Sequence, residues 1–599
     1  MNAQITEIQD REYGNETTDT SKTNAYKTCS YHLAPEIKHA ILTLLITFIS
    51  ILVTTDAMAM PADRPENSSL DKSIPPKPPH ESALKPLQPR NQLDETAIES
   101  QLQNIVVTQN LLPLDVGALA LPSIHSDKAQ LGKKLFFSKN LGGEQSAACV
   151  SCHHPSLGGG DNLSLSVGVN AIDSLGNDAH DLLGQGRFNG NDINNLPTVP
   201  RNAPTIFNLG LLTQGLFWDS RVERTPQGEI LTPDSLLDND GVRLPDSSLL
   251  PDTTLAAAQA RFPVTSIEEL RGGFAQNESN EALRNQLTNR FDNSLATFIT
   301  NWTNEFANVY QDALISFDLI ADAIGEYERS MIFVNNPWQN YLAGDSNALT
   351  TEQKAGAILF FAAPQEGGAG CMFCHNGPAF SDSRHHLVAF PQIGPGKGDD
   401  SASNTSQDFG RENITNNEAD KFHFRTASLL NVEVTAPYGH TGSYQSLHEV
   451  VRHYNGPNAA ITKLFGAEKM DMADRNNVAE GVIDGTAPFC QLPQIKQLIV
   501  KTAQSCQQLY PDAYTNSREV TRHLTNVNND EANASSPLFA TADLNKQEIN
   551  HLVAFLEALT DPCVKDRDCL LPWIVTESEQ ASFPDNQPLI AVDKLEQIL

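Results

Sequence analysis

The sequence predicts a mostly α-helical fold with long loops, built from two domains that each contain one copy of a short cysteine motif. Apolar residues recur at helical spacing in several segments, and runs that alternate polar and apolar residues are few. The motif copies are Cys149-Val-Ser-Cys-His153 and Cys371-Met-Phe-Cys-His375, one in each half of the chain. At 599 residues the chain is long enough for two or more domains with cores of their own.

The Cys-x-x-Cys-His pattern is typical of covalent haem c attachment. On a helical turn, positions i, i+3 and i+4 share one face, so both thiols and the imidazole meet the same porphyrin. Cys149 and Cys152, and likewise Cys371 and Cys374, would form thioethers, while His153 and His375 would bind the two irons. A single Cys-x-x-Cys also occurs in zinc sites and redox pairs. Two copies, each followed at once by histidine, favour a dihaem cytochrome c.

Charge and cysteine content narrow the class further. The formal net charge is −32, which argues against nucleic acid as a partner. An acidic surface suits a basic electron carrier, although a solvated acidic face without a partner is the more common explanation. The remaining cysteines suggest two disulfides, although spacing alone does not determine their pairing. The candidate pairs are Cys490 with Cys506 and Cys563 with Cys569.

An export signal is predicted near the N-terminus. The apolar stretch Ala40–Val53 follows Lys38 and precedes Ala57-Met-Ala59, as in a signal peptide with an Ala-x-Ala cleavage site, and it is short for a membrane span. Because 37 residues precede Lys38, translation starting near Leu33 or Ile37 is one explanation, and an uncleaved membrane anchor is the other. Both place the rest of the chain outside the cytoplasm, in the periplasm, with a membrane tether in the second case.

Composition divides the chain into five parts. They are residues 1–59 (signal peptide or anchor with an upstream extension), 60–111 (Pro-rich linker), 112–347 (first haem domain), 348–562 (second haem domain) and 563–599 (C-terminal tail). Residues 225–252 and 457–540 are interpreted as irregular surface insertions.

Helices are predicted at five places in these domains. Thr350 is expected to cap one of them, with Gln353 reaching back to complete a capping box. The predicted helical segments are Leu131–Phe137, Glu281–Phe306, Phe317–Phe333, the run that follows Thr350, and Leu544–Leu559.

Several runs besides the haem motifs carry a resemblance to a known family. They are Leu131-Gly-Lys-Lys-Leu-Phe-Phe137, Arg201-Asn-Ala-Pro-Thr205, Leu216-Phe-Trp-Asp219 with Arg221, Phe424-Arg-Thr426 and Thr435-Ala-Pro-Tyr438. Over Leu112 to Pro562 the chain resembles the bacterial dihaem cytochrome c peroxidase family, which includes the MauG-type enzymes. The resemblance implies two cytochrome c domains with one haem each and a calcium ion between them. It assigns Asn202, Thr435 and Pro437 to that calcium ion.

The resemblance also implies that peroxide reacts at the haem held by His153. Some relatives close the sixth iron position with a histidine sixteen residues after the proximal one. Here that position is Val169, which cannot bind iron, so the site is expected to be open. His154 and His180 are the alternative ligands.

Three residues match the family's catalytic positions. Glu269 would move the proton that O–O cleavage requires, and Gln259 would enter the same pocket. The neighbouring Glu268 could take this role instead. The alternative for both glutamates is that they are ordinary solvated surface residues. Trp218 would relay electrons between the haems, although a large core anchor is the usual role of a tryptophan.

The other axial ligand of the second haem differs between relatives. Some have methionine, and the MauG type has tyrosine. Fourteen residues after His440 the chain has Tyr454, which sides with the MauG type. Met470 and Met472 lie too far along to fit this spacing, and His453 is a further rival.

The expected function is that of a periplasmic dihaem peroxidase. It would reduce hydrogen peroxide with electrons from a cytochrome c or a cupredoxin, using two covalent haems c and Ca²⁺. The alternatives are a MauG-like enzyme that oxidises a protein or organic substrate and a non-catalytic electron-transfer cytochrome. The oligomeric state is left open, with a homodimer as one alternative.

Overall fold

The computed structural model describes residues 94–292, 302–311, 314–394, 396, 407–467, 483, 485–529 and 543–599. All of them belong to the unit Ala83–Leu599. The predicted signal peptide, most of the predicted linker, and Met470 and Met472 lie outside the described residues. Within the described part of the chain, no helix combines the length and hydrophobicity that crossing a membrane requires.

Helices are the main regular structure of the described residues and strands are few, as the sequence predicts. The helices are α1 (Glu95–Thr108), α2 (Asp127–Phe137), α3 (Leu255–Ala260), α4 (Asn280–Thr288), α5 (Trp302–Tyr310), α6 (Phe317–Arg329), α7 (Pro337–Leu342), α8 (Thr351–Phe361), α9 (Glu412–Thr415), α10 (Leu447–Asn455), α11 (Pro457–Leu464), α12 (Pro493–Thr502), α13 (Cys506–Leu509), α14 (Ala513–Asn529), α15 (Lys546–Glu557), α16 (Arg567–Leu570) and α17 (Glu577–Gln580).

Strands are short, and all of their pairings are antiparallel. They are β1 (Ala171–Ile172), β2 (Phe188–Asn189), β3 (Gly215–Leu216), β4 (Val222–Arg224), β5 (Ile230–Leu231), β6 (His385–His386) and β7 (Phe424–Arg425). They form the sheets β1-β2, β3-β4-β5 and β6-β7. The sheet β3-β4-β5 contributes Leu216, Val222 and Ile230 to a small apolar cluster with α3.

The helix before each haem motif crosses its partner helix at a glycine. A Cβ on Gly132 of α2 would lie 1.9 Å from the Ala323 carbonyl oxygen in α6, and one on Gly356 of α8 would lie 1.9 Å from the His551 carbonyl oxygen in α15. Only glycine permits backbones to approach this closely. In both helices two buried phenylalanines follow the glycine at the same spacing. The two halves of the fold therefore repeat one packing unit.

Each of these helix pairs lies in its own apolar cluster. The first cluster contains Phe136, Tyr327 and Trp302. It also contains residues from the C-terminal segment, which was predicted only as a tail, namely Val564, Leu570, Ile574, Val575, Phe583, Leu589 and Ala591. Backbone hydrogen bonds from Lys139 to Gln587 and from Leu589 to Phe137 fasten this segment. Residues from this C-terminal segment are thus part of the apolar cluster around α2 and α6.

The second cluster corrects the linker prediction. Ile98, Leu102 and Ile105 of α1 are buried in it, so the segment from Glu95 to Thr108 is a packed helix rather than linker. Its apolar residues are spaced for one helix face, but its partner α8 lies far along the chain.

Two other predictions are also corrected. The segment predicted as an irregular insertion from residue 457 to 540 contains helices α11 to α14 in its described part. The single helix expected over Glu281–Phe306 is instead α4 and α5, and the residues between them include 293–301, which lie outside the described residues.

Local predictions hold well elsewhere. The capping box at Thr350 is confirmed, because Gln353 N donates to Thr350 Oγ1 at 3.2 Å and Thr350 N donates to Gln353 Oε1 at 2.9 Å. Both suggested disulfides are present, Cys490–Cys506 and Cys563–Cys569.

Candidate functional site

The first haem motif lies on a short 3₁₀ turn, Cys149–Ser151. The backbone N–H of Ala148 donates to Ser151 Oγ at 3.1 Å, which fixes the start of the turn. His153 Nδ1 lies 3.1 Å from the carbonyl oxygen of Gly159. A carbonyl only accepts, so Nδ1 carries the ring proton and Nε2 keeps its lone pair. The imidazole is therefore prepared to bind a metal through Nε2.

The second motif repeats this arrangement. Cys371–Phe373 is again a 3₁₀ turn, and His375 Nδ1 lies 3.0 Å from the Phe380 carbonyl oxygen. Burial lowers the pKa of both His153 and His375, which favours the neutral imidazole that ligates iron. Both sites fit a covalently attached haem c.

Val169 lies in a segment pressed against the predicted catalytic glutamates. A Cβ on the preceding Gly168 would be 2.1 Å from the Glu268 carbonyl oxygen and 2.4 Å from that of Glu269. Val169 is buried, and it brings only an aliphatic side chain to this place.

The two alternative ligands lie in other surroundings. The ring of His154 packs edge-on against Phe137 in the first core, and its Nδ1 accepts from Ser156 N at 3.1 Å. His180 is half-buried, and its carbonyl accepts a hydrogen bond from Arg187.

The structure distinguishes Glu269 from Glu268. Both lie on the π-helical turn Ile267–Arg271, a local distortion that is frequent at functional sites. The Ser266 hydroxyl donates to Glu268 Oε2 at 3.0 Å. Glu269 instead interacts electrostatically with the thiols of Cys149 and Cys152. Of the two glutamates, Glu269 is therefore the one whose charge acts on the first haem motif, where Glu328 acts more strongly on Cys149 and Asp161 on Cys152.

Gln259 lies on α3. Its side chain is half-buried, and the helix packs closely on α6, where a Cβ on Gly325 would lie 2.6 Å from Ala257 N.

Trp218 links segments from both halves of the fold. Its Nε1–H donates to the Asn202 carbonyl at 2.9 Å, and its own carbonyl accepts from Arg425 N in β7 at 2.8 Å. Among the described residues, it belongs to none of the apolar clusters. This position disfavours the role of a simple core anchor.

A buried ion network lies directly beside Trp218, and sequence reasoning did not find it. Arg201 binds Asp408 through two hydrogen bonds of 2.6 and 2.7 Å and Asp219 at 2.5 Å. Arg221 continues the network, with Nη1 3.4 Å from both oxygens of Asp219. The sequence signal for this network was the family-like runs that contain Arg201 and Asp219. Neither run shows by itself that these two residues form an ion pair.

At the second motif the structure separates Tyr454 from His453. His453 is fully buried, with Nδ1 2.9 Å from the Tyr444 hydroxyl and Nε2 2.8 Å from the Val388 carbonyl, so both ring nitrogens are occupied. Tyr454 follows it on α10, and the rings of both residues pack against Phe390. Burial raises the pKa of the Tyr454 hydroxyl, and electrostatic interaction with the thiols of Cys374 and Cys371 raises it further. The phenol therefore lies near the second haem motif.

A charged pair also lies beside the second motif. His386 Nε2 is 2.8 Å from Asp382 Oδ2, and both are close to Cys374. Burial acts to lower the pKa of His386, but hydrogen bonds with Asp382 and Cys374 outweigh it and raise this pKa to about 9. The second haem site thus carries an imidazolium–carboxylate pair that spacing did not reveal.

The three residues assigned to calcium line one small cavity, together with Asp161. Asp161 is buried, and its Oδ1 accepts from Leu163 N at 3.0 Å. Its Oδ2 is buried without a hydrogen-bond partner among the described groups, and burial raises the pKa of this carboxyl to about 6. An unpartnered buried carboxylate oxygen next to Asn202, Thr435 and Pro437 fits a hard cation such as Ca²⁺. Asp161 was not predicted from the sequence, although it directly follows the glycine run Gly158-Gly-Gly160.

The paired haem motifs, each at the end of a glycine-crossed helix pair, define a dihaem c-type oxidoreductase. The chain matches the model of the di-haem cytochrome c peroxidase family over residues 126–347. It is an enzyme of the peroxidase type.

The curated relatives include proteins named cytochrome c peroxidase and proteins named MauG. The cytochrome c551 peroxidase of Pseudomonas aeruginosa is 28% identical over 340 residues, which cover 57% of this chain and 75% of that protein. The methylamine utilization protein MauG of Methylorubrum extorquens is 25% identical over 353 residues, 58% of this chain and 74% of that protein. A solved MauG-like protein associated with microbial copper homeostasis is 21% identical, with a TM-score of 0.44 over 76% of this chain and 95% of its own.

Proposed function

We propose that the protein is a periplasmic dihaem peroxidase that reduces hydrogen peroxide to water. Its electrons would come from a small carrier protein, a cytochrome c or a cupredoxin. The observation that carries the proposal is the position of Glu269, whose carboxylate interacts with both thiols of the first haem motif. A purely electron-transferring cytochrome has no need of a carboxylate there.

When bound, the first haem would supply an iron that binds peroxide, and the second would supply an electron store. The residues of this chain do the proton chemistry. Glu269 accepts a proton from one peroxide oxygen and returns it to the other, which leaves as water. Overall, hydrogen peroxide takes up two electrons and two protons and gives two water molecules. Val169 leaves the peroxide side uncapped by a protein ligand, and Gln259 lines it.

Trp218 is the proposed path for electrons between the two haems. Its hydrogen bonds tie it to Asn202 in the first half of the chain and to Arg425 in the second. These two hydrogen bonds restrict the movement of the Trp218 indole and backbone.

A second candidate function is supported by Tyr454. A phenolate ligand would stabilise oxidised iron at the second haem, which suits a MauG-like enzyme that stores oxidising equivalents and oxidises a protein or organic substrate. The position of Tyr454 near the thiols of Cys371 and Cys374 favours this alternative.

Calcium is proposed for the cavity lined by Asn202, Thr435, Pro437 and Asp161. The buried carboxylate oxygen of Asp161 supports it, because hard oxygen ligands are what Ca²⁺ prefers.

The function is tested by replacing Glu269 with glutamine and measuring peroxide turnover with reduced cytochrome c. Glu269→Gln keeps the shape but removes the base, so kcat/KM for peroxide should fall about 10²- to 10⁴-fold with both haems retained. Glu268→Gln is the matched control, since the Glu268 carboxylate is held by Ser266, and it should keep nearly full activity. Equal activity of Glu269→Gln and the unmodified protein would contradict the proposal.

A further inference from the structure

Arg221 is the cation that the structure places beside Glu269. Its Nη2 lies 4.0 Å from Glu269 Oε1, and the arginine side chain is only 14% exposed. The guanidinium carbon lies 3.5 Å from the ring centroid of Phe217, so the aromatic ring covers one face of the cation. A guanidinium stacked in this way presents its edge to the carboxylate.

The backbone around Arg221 is held from both sides. Its N–H donates to Asp219 Oδ1 at 3.1 Å, and its carbonyl accepts from Arg243 Nη1 at 3.0 Å. Asp219 is itself buried and bonded to Arg201. Arg221 therefore cannot drift from Glu269 without breaking a buried ion network.

In the part of the chain that the structure describes, the neighbouring arginines bond to backbone carbonyls. The guanidinium of Arg271, on the same turn, donates to the carbonyls of residues 274, 275 and 278, and that of Arg187 donates to the carbonyls of residues 167 and 168. Glu268 is an acid bonded to Ser266, and Glu144 is an acid that accepts from the N–H of Gly273. Two nearby acids oppose a negative charge on Glu269, which makes the contribution of a cation larger.

We propose that Arg221 is a positioning residue, which keeps Glu269 ionised and oriented for proton transfer from peroxide. The inference rests on the proposed peroxidase function. An opposite charge within about 4–6 Å favours the charged form of a carboxyl group. Because only the ionised form can accept a proton, Arg221 sustains catalysis at acidic pH. Arg221 neither gains nor loses a proton in the reaction.

The test is a double-mutant cycle read as a pH profile. Arg221→Gln should lower kcat/KM for peroxide about 10- to 100-fold at neutral pH, since the base is less ionised and less well placed. It should also move the acid limb of the profile to higher pH. Arg221→Lys, which keeps the charge, should restore the limb in part. Arg224→Gln, three residues further along the chain, is the control, because Arg224 bonds to the Gly228 carbonyl, and it should leave the profile unchanged.

In the Glu269→Gln background, Arg221→Gln should cause no further loss, because the group through which it acts is gone. An equal loss in both backgrounds, or an acid limb that does not move, would overturn the inference while the peroxidase function stands. Full activity of Glu269→Gln alone would instead contradict the proposed function. Haem content and the resting spectrum report folding, and Arg221→Met provides a second neutral variant if the glutamine variant loses haem.

Discussion

The indole nitrogen of Trp218 donates a 2.9 Å hydrogen bond to the backbone carbonyl of Asn202. Asn202 also donates from its backbone N–H to the His440 carbonyl at 2.8 Å and from Nδ2 to the Leu163 carbonyl at 2.7 Å. It lines the cavity proposed for calcium. The residue proposed to carry electrons is thus fastened to the residue proposed to hold the metal.

Replacing Trp218 by phenylalanine should retain both haems and slow electron transfer between them about tenfold or more. The ring is smaller and loses its hydrogen bond, which should also cost about 1 kcal/mol of folding free energy. Stopped-flow spectroscopy of the partly reduced protein measures the transfer. Trp573→Phe is the matched control, because Trp573 likewise loses a hydrogen bond, to Ser330 Oγ at 3.0 Å, but lies in the first core. Identical transfer rates in the two variants would rule out the relay.

Replacing Asp161 by asparagine should weaken Ca²⁺ binding about tenfold, because ligand charge is one of the factors that set calcium affinity. Titration calorimetry with CaCl₂ on the haem-loaded protein, after removal of metal with a chelator, measures this directly. The exposed Asp178→Asn is the control and should bind Ca²⁺ normally. Chelation of the unmodified protein should also change Trp218 fluorescence through Asn202. Unaltered affinity in Asp161→Asn would show that its Oδ2 does not contact the ion.

Sequence reasoning succeeded where the determining contacts are local. The capping box at Thr350 needs only Gln353, three residues away, and a Cys-x-x-Cys-His turn places its own ligands. It failed for α1, because Ile98, Leu102 and Ile105 are buried only through packing against α8, which lies far along the chain.

The site shows the same division. Asn202 and Thr435 come together with Asp161 across almost half of the chain, so only the resemblance could suggest two of them, and nothing suggested the third. The contact between Arg221 and Glu269 depends on a turn at Phe217 and Ser220, both with positive φ, and no periodic pattern encodes that geometry.

Two haems should remain bound when the protein is denatured, because thioether bonds survive unfolding. Mass spectrometry of the exported protein should show the processed polypeptide plus two haem groups. Replacing both Cys149 and Cys152 by alanine should remove one haem and leave the one attached at Cys371 and Cys374. A mass equal to the bare polypeptide would contradict covalent attachment at both motifs.

Tyr454 is the ligand proposed for the second haem. A phenolate is a hard anionic ligand and stabilises ferric iron better than a neutral thioether does, so a Tyr454-ligated haem has a low reduction potential. Replacing Tyr454 by methionine should therefore raise the potential of the His375 haem and increase turnover with cytochrome c donors. Spectroelectrochemical titration of the two haems measures the shift.

His453→Gln is the control that the structure supplies, since this neighbour on the same helix is occupied by Tyr444 and Val388. Losing these buried hydrogen bonds should cost about 1–3 kcal/mol of stability, yet the haem potential should stay where it is. The two variants therefore move different observables, one the potential and the other the melting temperature. If the potential of the His375 haem is unchanged in Tyr454→Met but shifts in His453→Gln, the ligand is His453 and not Tyr454. The imidazole would then have to leave its buried hydrogen bonds to reach the iron. With tyrosine excluded in that way, the MauG-like alternative would lose its support, and the plain peroxidase function would remain.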